Sequence, residues 1–287
     1  MIVMPLNIIA DDFGYGYSRN RGIVKCFEKG AVSGTSLLVN CKHSVDAVNL
    51  AKKHSIPTSL HFNLTEGIPL CNNLDSITCN GKFLGKVKFW KNKDISSDDI
   101  KDELIAQINC YHHWFDCYPQ RVDGHQHIHV HPQVFRVFAQ VLHKFDITQT
   151  RLPIEHPVSM GSVEMSLERR LFHDMMQQCA YDVQETWKKY SLTYPTNFFG
   201  LNMIGYSMTT AKVKLFLSSI DGNEDVEMMC HPGFVSDRST DGFVGDEHAD
   251  QFSCSFEREH EMLVLMSDDL LQFYKENRIC LLMSSMQ

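Results

Sequence analysis

The chain has 287 residues, of which 43% are hydrophobic and 22% charged, and its formal net charge at pH 7 is −8. This composition is typical of a folded globular protein. Because no basic stripe interrupts the acidic balance, we expect no sequence-independent nucleic-acid partner and no anionic-membrane partner. The length suits one large α/β unit, and we expect a single domain over residues 1–287.

The cysteines and the first residues of the chain favour a reducing compartment inside the cell. Ten cysteines are scattered without a C-x-x-C pair or a zinc-finger spacing, and several lie in apolar patterns, as expected of reduced core thiols. The first residues lack the basic region of a signal peptide, and no apolar run approaches the length of a membrane span. These features predict a soluble, cytoplasmic protein without a membrane partner.

Short apolar runs alternate with amphipathic segments along the whole chain. We predict strands, in chain order, at Leu6–Ala10, Gly34–Val39, Ser59–Leu64, Arg121–His127, Gln149–Leu152, Thr196–Leu201, Val226–His231 and Arg278–Met283. We predict helices at Ser18–Lys29, Ser44–His54, Ser97–Phe115, Pro132–Phe145, Thr209–Ser219 and Phe256–Asn277. Alternation of this kind indicates parallel strands joined by crossover helices.

The number of strand–helix repeats sets the predicted architecture. Seven or eight repeats in a chain of this length indicate an α/β fold with a closed or nearly closed, TIM-like (β/α) barrel, and an open doubly wound sheet is the main alternative. Two stretches fit the repeat poorly, residues 65–96 and 233–255, which are rich in Gly, Asn, Asp and Ser. We expect both to be long loops of the kind that often form substrate walls or lids.

Asp11 and Asp12 stand side by side where the first predicted strand ends. Adjacent aspartates form strands poorly, and burying either carboxylate is costly unless a partner such as a metal ion compensates for it. Because (β/α) folds place their sites at the carboxyl ends of strands, polar residues there are the candidates for further ligands. At the other predicted strand ends these residues are His61, Asn63, Asp123, His125, His127, Arg151 and His231.

The segment DGHQHIHVHP contains four alternating histidines, His125, His127, His129 and His131. On a strand they would share one face with neighbouring side chains about 6.6 Å apart, so a single ion could not reach all four. We expect one metal ligand, one or two residues that contact substrate or support the ligand, and a structural remainder. Asp123, two residues before His125, could orient an imidazole, as a metal-bound histidine usually requires.

A site of one carboxylate and two imidazoles would leave coordination positions open for water and substrate, as a catalytic ion requires. This ligand mixture favours Zn²⁺, Co²⁺, Ni²⁺ or Fe²⁺ over Mg²⁺. If Asp12 binds the ion, Asp11 remains as a general base beside it. A cysteine nucleophile is the rival hypothesis, but Cys230 and His231 are adjacent on a predicted strand and would point to opposite faces.

Several motifs, in chain order, resemble those of the YdjC-like carbohydrate deacetylases. They are IIADDFGYG, SLLVN, LHFNLTEG, DGHQHIHVHP, RLP and MCHPGF, and FSCSFEREHE resembles the vertebrate branch of that family. The resemblance runs from about Leu6 to about Ile279 and is weakest over residues 153–225. It implies a distorted (β/α) barrel related to polysaccharide deacetylases. It also implies divalent-metal-dependent hydrolysis of the N-acetyl group of an acetylated sugar or oligosaccharide.

Carried over position by position, the resemblance implies roles for individual residues. Asp11 becomes the proton acceptor, and His231 becomes the candidate general acid. Asp12, His61 and His125 become the ligands of one divalent metal ion, for which the family implies Mg²⁺, whereas the ligand types leave Zn²⁺, Co²⁺ or Ni²⁺ open. We expect the remaining polar residues to support these ligands or to contact the substrate; they are Asn63, Asp123, His127 and Arg151.

Two other functions fit the same residues. A catalytically silent barrel would bind a metal or a protein partner and show no turnover. A phosphoester hydrolase would need more lysine or arginine at strand ends than the sequence offers, since Arg151 is the one strong candidate. If the substrate is a sugar, Phe62, Phe83 and Trp90 could stack on its rings, although core packing explains Phe62 at least as well.

Overall fold

The computed structural model describes residues 3–157, 166–222, 224–237, 239, 241–242 and 251–282. The strands of this part are β1 Met4–Phe13, β2 Gly34–Leu37, β3 Thr58–Phe62, β4 Thr78–Cys79, β5 Lys82–Phe83, β6 Val122–Gly124, β7 Asn197–Phe199, β8 Val226–Cys230 and β9 Ile279–Leu281. The helices are α1 Tyr17–Glu28, α2 Ser44–His54, α3 Lys86–Lys91, α4 Ser97–Phe115, α5 Phe135–Lys144, α6 Leu167–Lys189, α7 Thr210–Ser219, α8 Phe256–Leu265 and α9 Asp268–Glu276. Among these helices, none combines the length and the apolar character that crossing a membrane requires.

Seven of the strands form one parallel sheet. Six lie in the order β6-β3-β2-β1-β8-β7, and β9 pairs with the first residues of β1, where Met4 aligns with Ile279. β1 lies inside the sheet, between β2 and β8. Most of its residues are therefore buried, as expected of an apolar strand that is covered on both faces. Since the pairings of this sheet are all parallel, the carboxyl ends of its strands meet at one edge.

Residues 149–155 lie between the two outer strands of the sheet, β6 and β7. Isolated parallel bridges join Gln149 to Arg121 on one side and Glu155 to Phe198 on the other. The segment makes single bridges instead of a continuous ladder, so the strand predicted there is irregular. The predicted α/β, distorted-barrel fold is confirmed, and this segment is where the barrel departs from regular closure.

The sequence pattern does not predict α6, although this helix spans 23 residues. It begins at Ser166, whose side chain accepts a hydrogen bond from the N–H of Arg169 at 3.3 Å. Its apolar residues fall on both faces: Met176, Ala180, Val183 and Trp187 are buried, whereas Leu167, Leu171 and Met175 are exposed. An amphipathic helix is recognised in a sequence by apolar residues on one face only. Because the apolar residues of α6 lie on both faces, the sequence pattern does not predict this helix.

The single helix predicted over Phe256–Asn277 is two helices, α8 and α9. They meet at Met266 and Ser267, and the Ser267 side chain accepts a hydrogen bond from the N–H of Leu270 at 3.3 Å. A serine in this position begins a new helix by satisfying one of its free N–H groups. The prediction of one continuous helix was therefore wrong at this junction.

The first predicted loop, residues 65–96, contains regular structure. Its antiparallel hairpin aligns Thr78 of β4 with Phe83 of β5, and α3 follows. Elements of two to six residues are too short to show a hydrophobic period, which explains the wrong prediction. Met283 of the last predicted strand, and residues 238, 240 and 243–250 of the second predicted loop, lie outside the described residues.

β6 ends at Gly124, and His125–Val130 form a short 3₁₀ segment where the sequence predicts a continuing strand. Gln126 and His127 have φ values of 52° and 58°, in the left-handed region, so the alternation of a strand does not apply. A glycine is required at 124 because a Cβ there would lie 2.5 Å from Nδ1 of His129. The alternating histidines therefore do not share one face.

Candidate active site

Asp11 and Asp12 lie in a β-bulge at the carboxyl end of β1. The register between β1 and β2 shifts between Ala10 and Phe13, and Asp12 has a φ of 67°. In a regular strand adjacent side chains point to opposite faces, but a bulge re-aims one of them. As a result both carboxylates, each only 2% exposed, approach Nε2 of His61, with Asp11 Oδ2 at 3.9 Å and Asp12 Oδ1 at 3.5 Å.

Asp12, His61 and His125 bring three potential metal ligands together. Asp12 Oδ1 lies 3.0 Å from His125 Nδ1, and one ligand atom of each residue lies within 4.8 Å of the others. Asp12 Oδ1 is buried, and no donor among the described residues reaches it with hydrogen-bond geometry. A buried acceptor of this kind needs a partner, and a carboxylate with two imidazoles suits a divalent transition-metal ion. The residues present therefore fit a cation.

Two buried arginines hold the second oxygen of Asp12. Arg19 Nη1 and Arg258 Nη2 donate to Asp12 Oδ2 at 3.1 and 3.0 Å. Burial alone would raise the pKa of Asp12, but the charge of His125, the approach of the His125 and His61 rings, and the charge of Arg258 hold that pKa well below its usual range. The sequence predicts a role for neither arginine; Arg19 lies in α1, and Arg258 lies in α8 within the FSCSFEREHE motif, 246 residues from Asp12.

Arg151 holds Asp11 from the barrel interior. Its Nη1 and Nη2 donate to the two Asp11 carboxylate oxygens at 2.5 and 2.8 Å, and its Nε donates to Glu227 Oε1 at 2.6 Å. Nη2 also lies 3.3 Å from Asp123 Oδ2. Because Arg151 is 0% exposed, it supports Asp11 and does not line the cavity described below. Asp11, His61 and Asp123 form a second group that is compact enough to hold a cation. Its two carboxylates already pair with the positive charge of Arg151, so it is the weaker candidate for a cation site.

Each candidate imidazole ligand also contacts a carboxylate through its other nitrogen. His61 Nδ1 lies 2.6 Å from Asp123 Oδ1, and His125 Nε2 lies 2.5 Å from Glu66 Oε2. Asp123 contacts His61 and not the nearby His125, because His61 and Asp123 are aligned partners on β3 and β6. Burial alone would lower the pKa of His125, but the carboxylates of Asp12 and Glu66 raise it to about 10.

Asn63 shapes the turn that carries Glu66. Its Oδ1 accepts hydrogen bonds from the backbone N–H groups of Thr65 and Glu66 at 2.9 and 3.2 Å. Its Nδ2 donates to the carbonyl oxygen of Glu66 at 2.8 Å. Asparagine commonly organises turns through bonds of this kind. Asn63 therefore lies behind the site and acts on it through Glu66.

His127 and His129 occupy different environments. His127 lines the cavity beside the cluster, and its buried Nδ1 has no hydrogen-bond partner among the described residues. Burial and the charge of Arg151 hold the pKa of His127 well below its usual range, so the ring is neutral. His129 Nε2 donates to the carbonyl oxygen of Arg151 at 3.0 Å, and its ring stacks on Trp187. His127 thus faces the cavity, whereas His129 is part of the core.

His231 follows β8 and approaches Asp11. Its Nε2 lies 4.0 Å from Asp11 Oδ2. Its backbone N–H donates to Glu261 Oε2 at 2.6 Å, and Glu261 is buried on α8. Since α8 also carries Arg258, one helix supports both the Asp12 carboxylate and the backbone of His231.

A cavity of about 80 Å³ opens beside these groups. Half-buried Phe172 of α6 and Phe252 line it, and Lys86 Nζ lies 3.9 Å from the ring centre of Phe172. The cavity is small beside the roughly 300–1,000 Å³ of typical ligand pockets, so it suits a small substituent better than a whole oligosaccharide. Its other walls include polar Gln126, His127 and His173 and apolar Leu201, Ile204 and Met229.

The aromatic residues suggested by the sequence lie elsewhere. Phe62 and Phe83 are 0% and 1% exposed and belong to the hydrophobic core, so that suggestion was wrong for both. Trp90 packs edge-on against Phe172 and is not among the described residues that line the cavity. Of the two cavity phenylalanines, Phe252 falls in a predicted functional loop, whereas Phe172 lies on the helix that the sequence pattern hides.

A larger cavity, of about 420 Å³, lies at the amino ends of the strands, where its lining includes Gly34, Thr58, Tyr111 and Arg121. Its described lining contains none of the predicted site residues. The carboxylates and imidazoles cluster at the carboxyl ends of the strands, where (β/α) folds carry out their chemistry. We therefore assign the site to the smaller cavity.

Comparison with known proteins adds evidence of relationship. A family model for YdjC-like proteins matches residues 5–276. A carbohydrate deacetylase of Danio rerio is 34% identical over 303 residues, covering 96% of this chain and 96% of the relative. A carbohydrate deacetylase of Homo sapiens is 36% identical over 280 residues, covering 93% and 86%. A chitooligosaccharide deacetylase of Yersinia enterocolitica is 28% identical over 235 residues, covering 80% and 82%.

A solved structure supports the fold. It is that of an Enterococcus faecalis protein described as a candidate cellobiose-phosphate cleavage protein, and it superimposes with a TM-score of 0.75. The match covers 98% of this chain and 97% of that chain at 19% sequence identity. At this identity the likeness concerns architecture alone.

Proposed function

This chain belongs to the YdjC-like protein family, and from that membership we propose that it is a metal-dependent carbohydrate deacetylase. The proposed reaction is hydrolysis of the N-acetyl group of an acetylated sugar or oligosaccharide to acetate and an amine. The observation that carries the proposal is the buried group of Asp12, His61 and His125 beside Asp11. The names of the relatives, carbohydrate deacetylase and chitooligosaccharide deacetylase, support the substrate class.

Asp12, His61 and His125 would hold one divalent cation. Bound there, the cation supplies Lewis acidity toward a carbonyl oxygen and a water molecule. With two imidazoles in the ligand set, Zn²⁺, Co²⁺ and Ni²⁺ suit the site better than Mg²⁺ does. The two arginines on Asp12 Oδ2 keep the carboxylate from turning and leave Oδ1 facing the imidazoles.

Asp11 is the proposed proton acceptor. Arg151 fixes its carboxylate with two hydrogen bonds, so one oxygen stays 3.9 Å from His61 Nε2, beside the proposed cation position. From there Asp11 takes the proton of the water that attacks the acetamide carbon. His231, whose Nε2 lies 4.0 Å from the same carboxylate, donates a proton to the departing amine nitrogen.

The cavity accounts for the part of the substrate that would enter. Its volume of about 80 Å³ suits an acetamido group, with the sugar ring lying outside. Phe172 and Phe252, which are half-buried on the cavity wall, offer flat apolar surface to a sugar ring. The phosphoester alternative loses the residue on which the sequence based it, because Arg151 is fully buried on carboxylates.

Acetate release tests the proposal directly. We expect the purified protein, stripped with a chelator and reloaded with Zn²⁺, Co²⁺, Ni²⁺ or Mg²⁺, to release acetate from at least one sugar in a panel of N-acetylglucosamine and its β-1,4 oligomers. Equimolar free amine should appear with the acetate, and excess chelator should abolish both. Glucosamine oligomers and p-nitrophenyl phosphate are the negative controls. No release from any sugar by protein shown to contain metal would contradict the proposal and favour a silent barrel.

The cysteine beside His231 takes no part in this chemistry. Cys230 is fully buried, its Sγ donates to the carbonyl oxygen of Ile9 at 3.4 Å, and burial raises the pKa of the thiol well above its usual range. We expect Cys230→Ser to keep acetate release close to that of the parent protein, because a serine hydroxyl can make the same hydrogen bond. Loss of activity in a folded, metal-loaded Cys230→Ser variant would restore the nucleophilic-thiol hypothesis.

A further inference from the structure

We propose that Glu66 is a positioning residue that fixes the ring of His125, so that Nδ1 and not Nε2 is the atom offered to the cation. The inference rests on the proposed function, since it concerns the same site. Glu66 lies in the LHFNLTEG segment, three residues after Asn63. No feature of the sequence pattern assigns it a role, because the turn in which it lies explains its polarity equally well.

The two nitrogens of His125 face different carboxylates. Nδ1 lies 3.0 Å from Asp12 Oδ1, the buried oxygen that has no hydrogen-bond donor among the described residues, and it shares this side with Nε2 of His61. Nε2 lies 2.5 Å from Glu66 Oε2, on the other side of the ring. Only the Nδ1 side brings the ring next to both other potential ligands, so the cation belongs there.

Glu66 selects the form of the ring that can bind. A carboxylate only accepts hydrogen bonds, so a neutral imidazole held at 2.5 Å by Glu66 carries its proton on Nε2. The lone pair is then on Nδ1, where a cation can use it. The opposite tautomer would set an N–H against the cation and a lone pair against the Glu66 carboxylate, and both contacts are unfavourable.

His61 shows the mirror arrangement. Its Nδ1 lies 2.6 Å from Asp123 Oδ1, which leaves Nε2 for the cation. The two imidazoles would therefore bind through opposite ring nitrogens, each with its own carboxylate behind it. Carboxylates in this position typically orient the ligand and raise its basicity.

The surroundings of Glu66 keep its carboxylate in place. The residue is completely buried, and Asn63 binds both its backbone N–H and its carbonyl oxygen. The Tyr15 hydroxyl lies 3.5 Å from Glu66 Oε1. Side chains that support a binding site act well only when they are themselves fixed, and Glu66 meets this condition through its backbone and burial.

Metal titration of Glu66 variants tests the inference without any substrate. The metal-free full-length chain is titrated with Zn²⁺ against a chromophoric chelator, and Glu66→Ala and Glu66→Gln are compared with the parent. We expect Kd to increase about 10- to 100-fold in Glu66→Ala, the usual cost of losing such a partner. The increase should be smaller in Glu66→Gln, because an amide oxygen can still accept from Nε2. An unchanged Kd in Glu66→Ala would overturn the inference.

Glu103→Gln is the matched control. Glu103 is also fully buried and holds the same loop, accepting from the backbone N–H groups of Leu70 and Cys71 at 2.9 to 3.0 Å. It contacts no imidazole of the site in the described structure, so we expect its Zn²⁺ affinity to match that of the parent. An affinity loss in Glu103→Gln as large as that in Glu66→Ala would mean that loop disturbance, and not ring orientation, sets the affinity.

Nitrogen NMR gives a second readout that a purely structural role would not produce. In the Zn²⁺-loaded parent protein with ¹⁵N-labelled histidine, long-range ¹H–¹⁵N spectra should show Nδ1 of His125 and Nε2 of His61 as the coordinated atoms. Coordination of His125 through Nε2 would contradict the inference. Neither measurement involves turnover, so absence of acetate release would contradict the proposed function and leave the inference about Glu66 intact. Acetate release by the parent, together with unchanged metal affinity in Glu66→Ala, would overturn only the inference about Glu66.

Discussion

Replacing Asp11 by asparagine should lower the kcat of acetate release by about 10²- to 10⁴-fold, the range typical of general-base catalysis. The asparagine keeps the size of the side chain but cannot take a proton from water at neutral pH. The metal content should not change, since Asp12, His61 and His125 remain. The measurement pairs steady-state kinetics at saturating sugar with elemental analysis of the same protein sample.

Glu227→Gln is the control that separates proton transfer from ion pairing. Glu227 also accepts from Arg151, at 2.6 Å, but it lies below the site and does not line the cavity. Both variants remove a carboxylate from the same buried guanidinium, so both should lower the free energy of unfolding. When kcat is calculated per folded molecule, we expect it to fall in Asp11→Asn and to stay close to the parent value in Glu227→Gln. A near-normal kcat in Asp11→Asn would rule out Asp11 as the base.

Truncating His125 to alanine should remove the bound metal and turnover together. The substitution deletes one of the three proposed ligands, and the loss of affinity should exceed the 10- to 100-fold typical of losing a supporting partner. The remaining carboxylate and imidazole cannot hold a divalent ion through dialysis. Elemental analysis after dialysis, with circular dichroism to confirm folding, checks this result.

His129→Ala provides the comparison for that experiment. His129 is equally buried and lies four residues further along, but it donates to the Arg151 carbonyl and packs on Trp187. We expect it to lower stability and to keep full metal occupancy. Full occupancy in His125→Ala would instead move the ligand to His127 or His129.

The sequence predicts the main parts of the site because parallel strands align their carboxyl ends. Once the strand order places β1, β3 and β6 in one parallel sheet, the residues at their carboxyl ends lie along the same edge. This is why a carboxylate and imidazoles could be expected close together from the pattern, whereas the particular set Asp12, His61 and His125 comes from the resemblance to YdjC-like proteins. The same reasoning brings His231 near Asp11 from β8, on the opposite side of β1.

Other features depend on geometry that a linear pattern does not carry. The bulge that turns Asp11 and Asp12 to one side contradicts simple alternation, as does the left-handed backbone at Gln126 and His127. Arg258 reaches Asp12 from the end of the chain, and nothing in its own segment signals this contact. Asp123 was expected to orient an imidazole, but only the register of β3 and β6 shows that His61 is its partner.

The ion pairs inside the barrel have a consequence for judging diverged copies of this protein. Arg121 and Arg151 are interleaved with Asp11, Asp123 and Glu227, at distances of 2.5 to 3.3 Å. Loss of one partner from a buried pair costs about 3–5 kcal/mol, so folding alone preserves these positions. An aspartate at position 11 in a duplicated gene is therefore poor evidence of retained activity. His61 and His125 also contact buried carboxylates, at 2.6 and 2.5 Å, so the same argument applies to them and metal binding has to be measured.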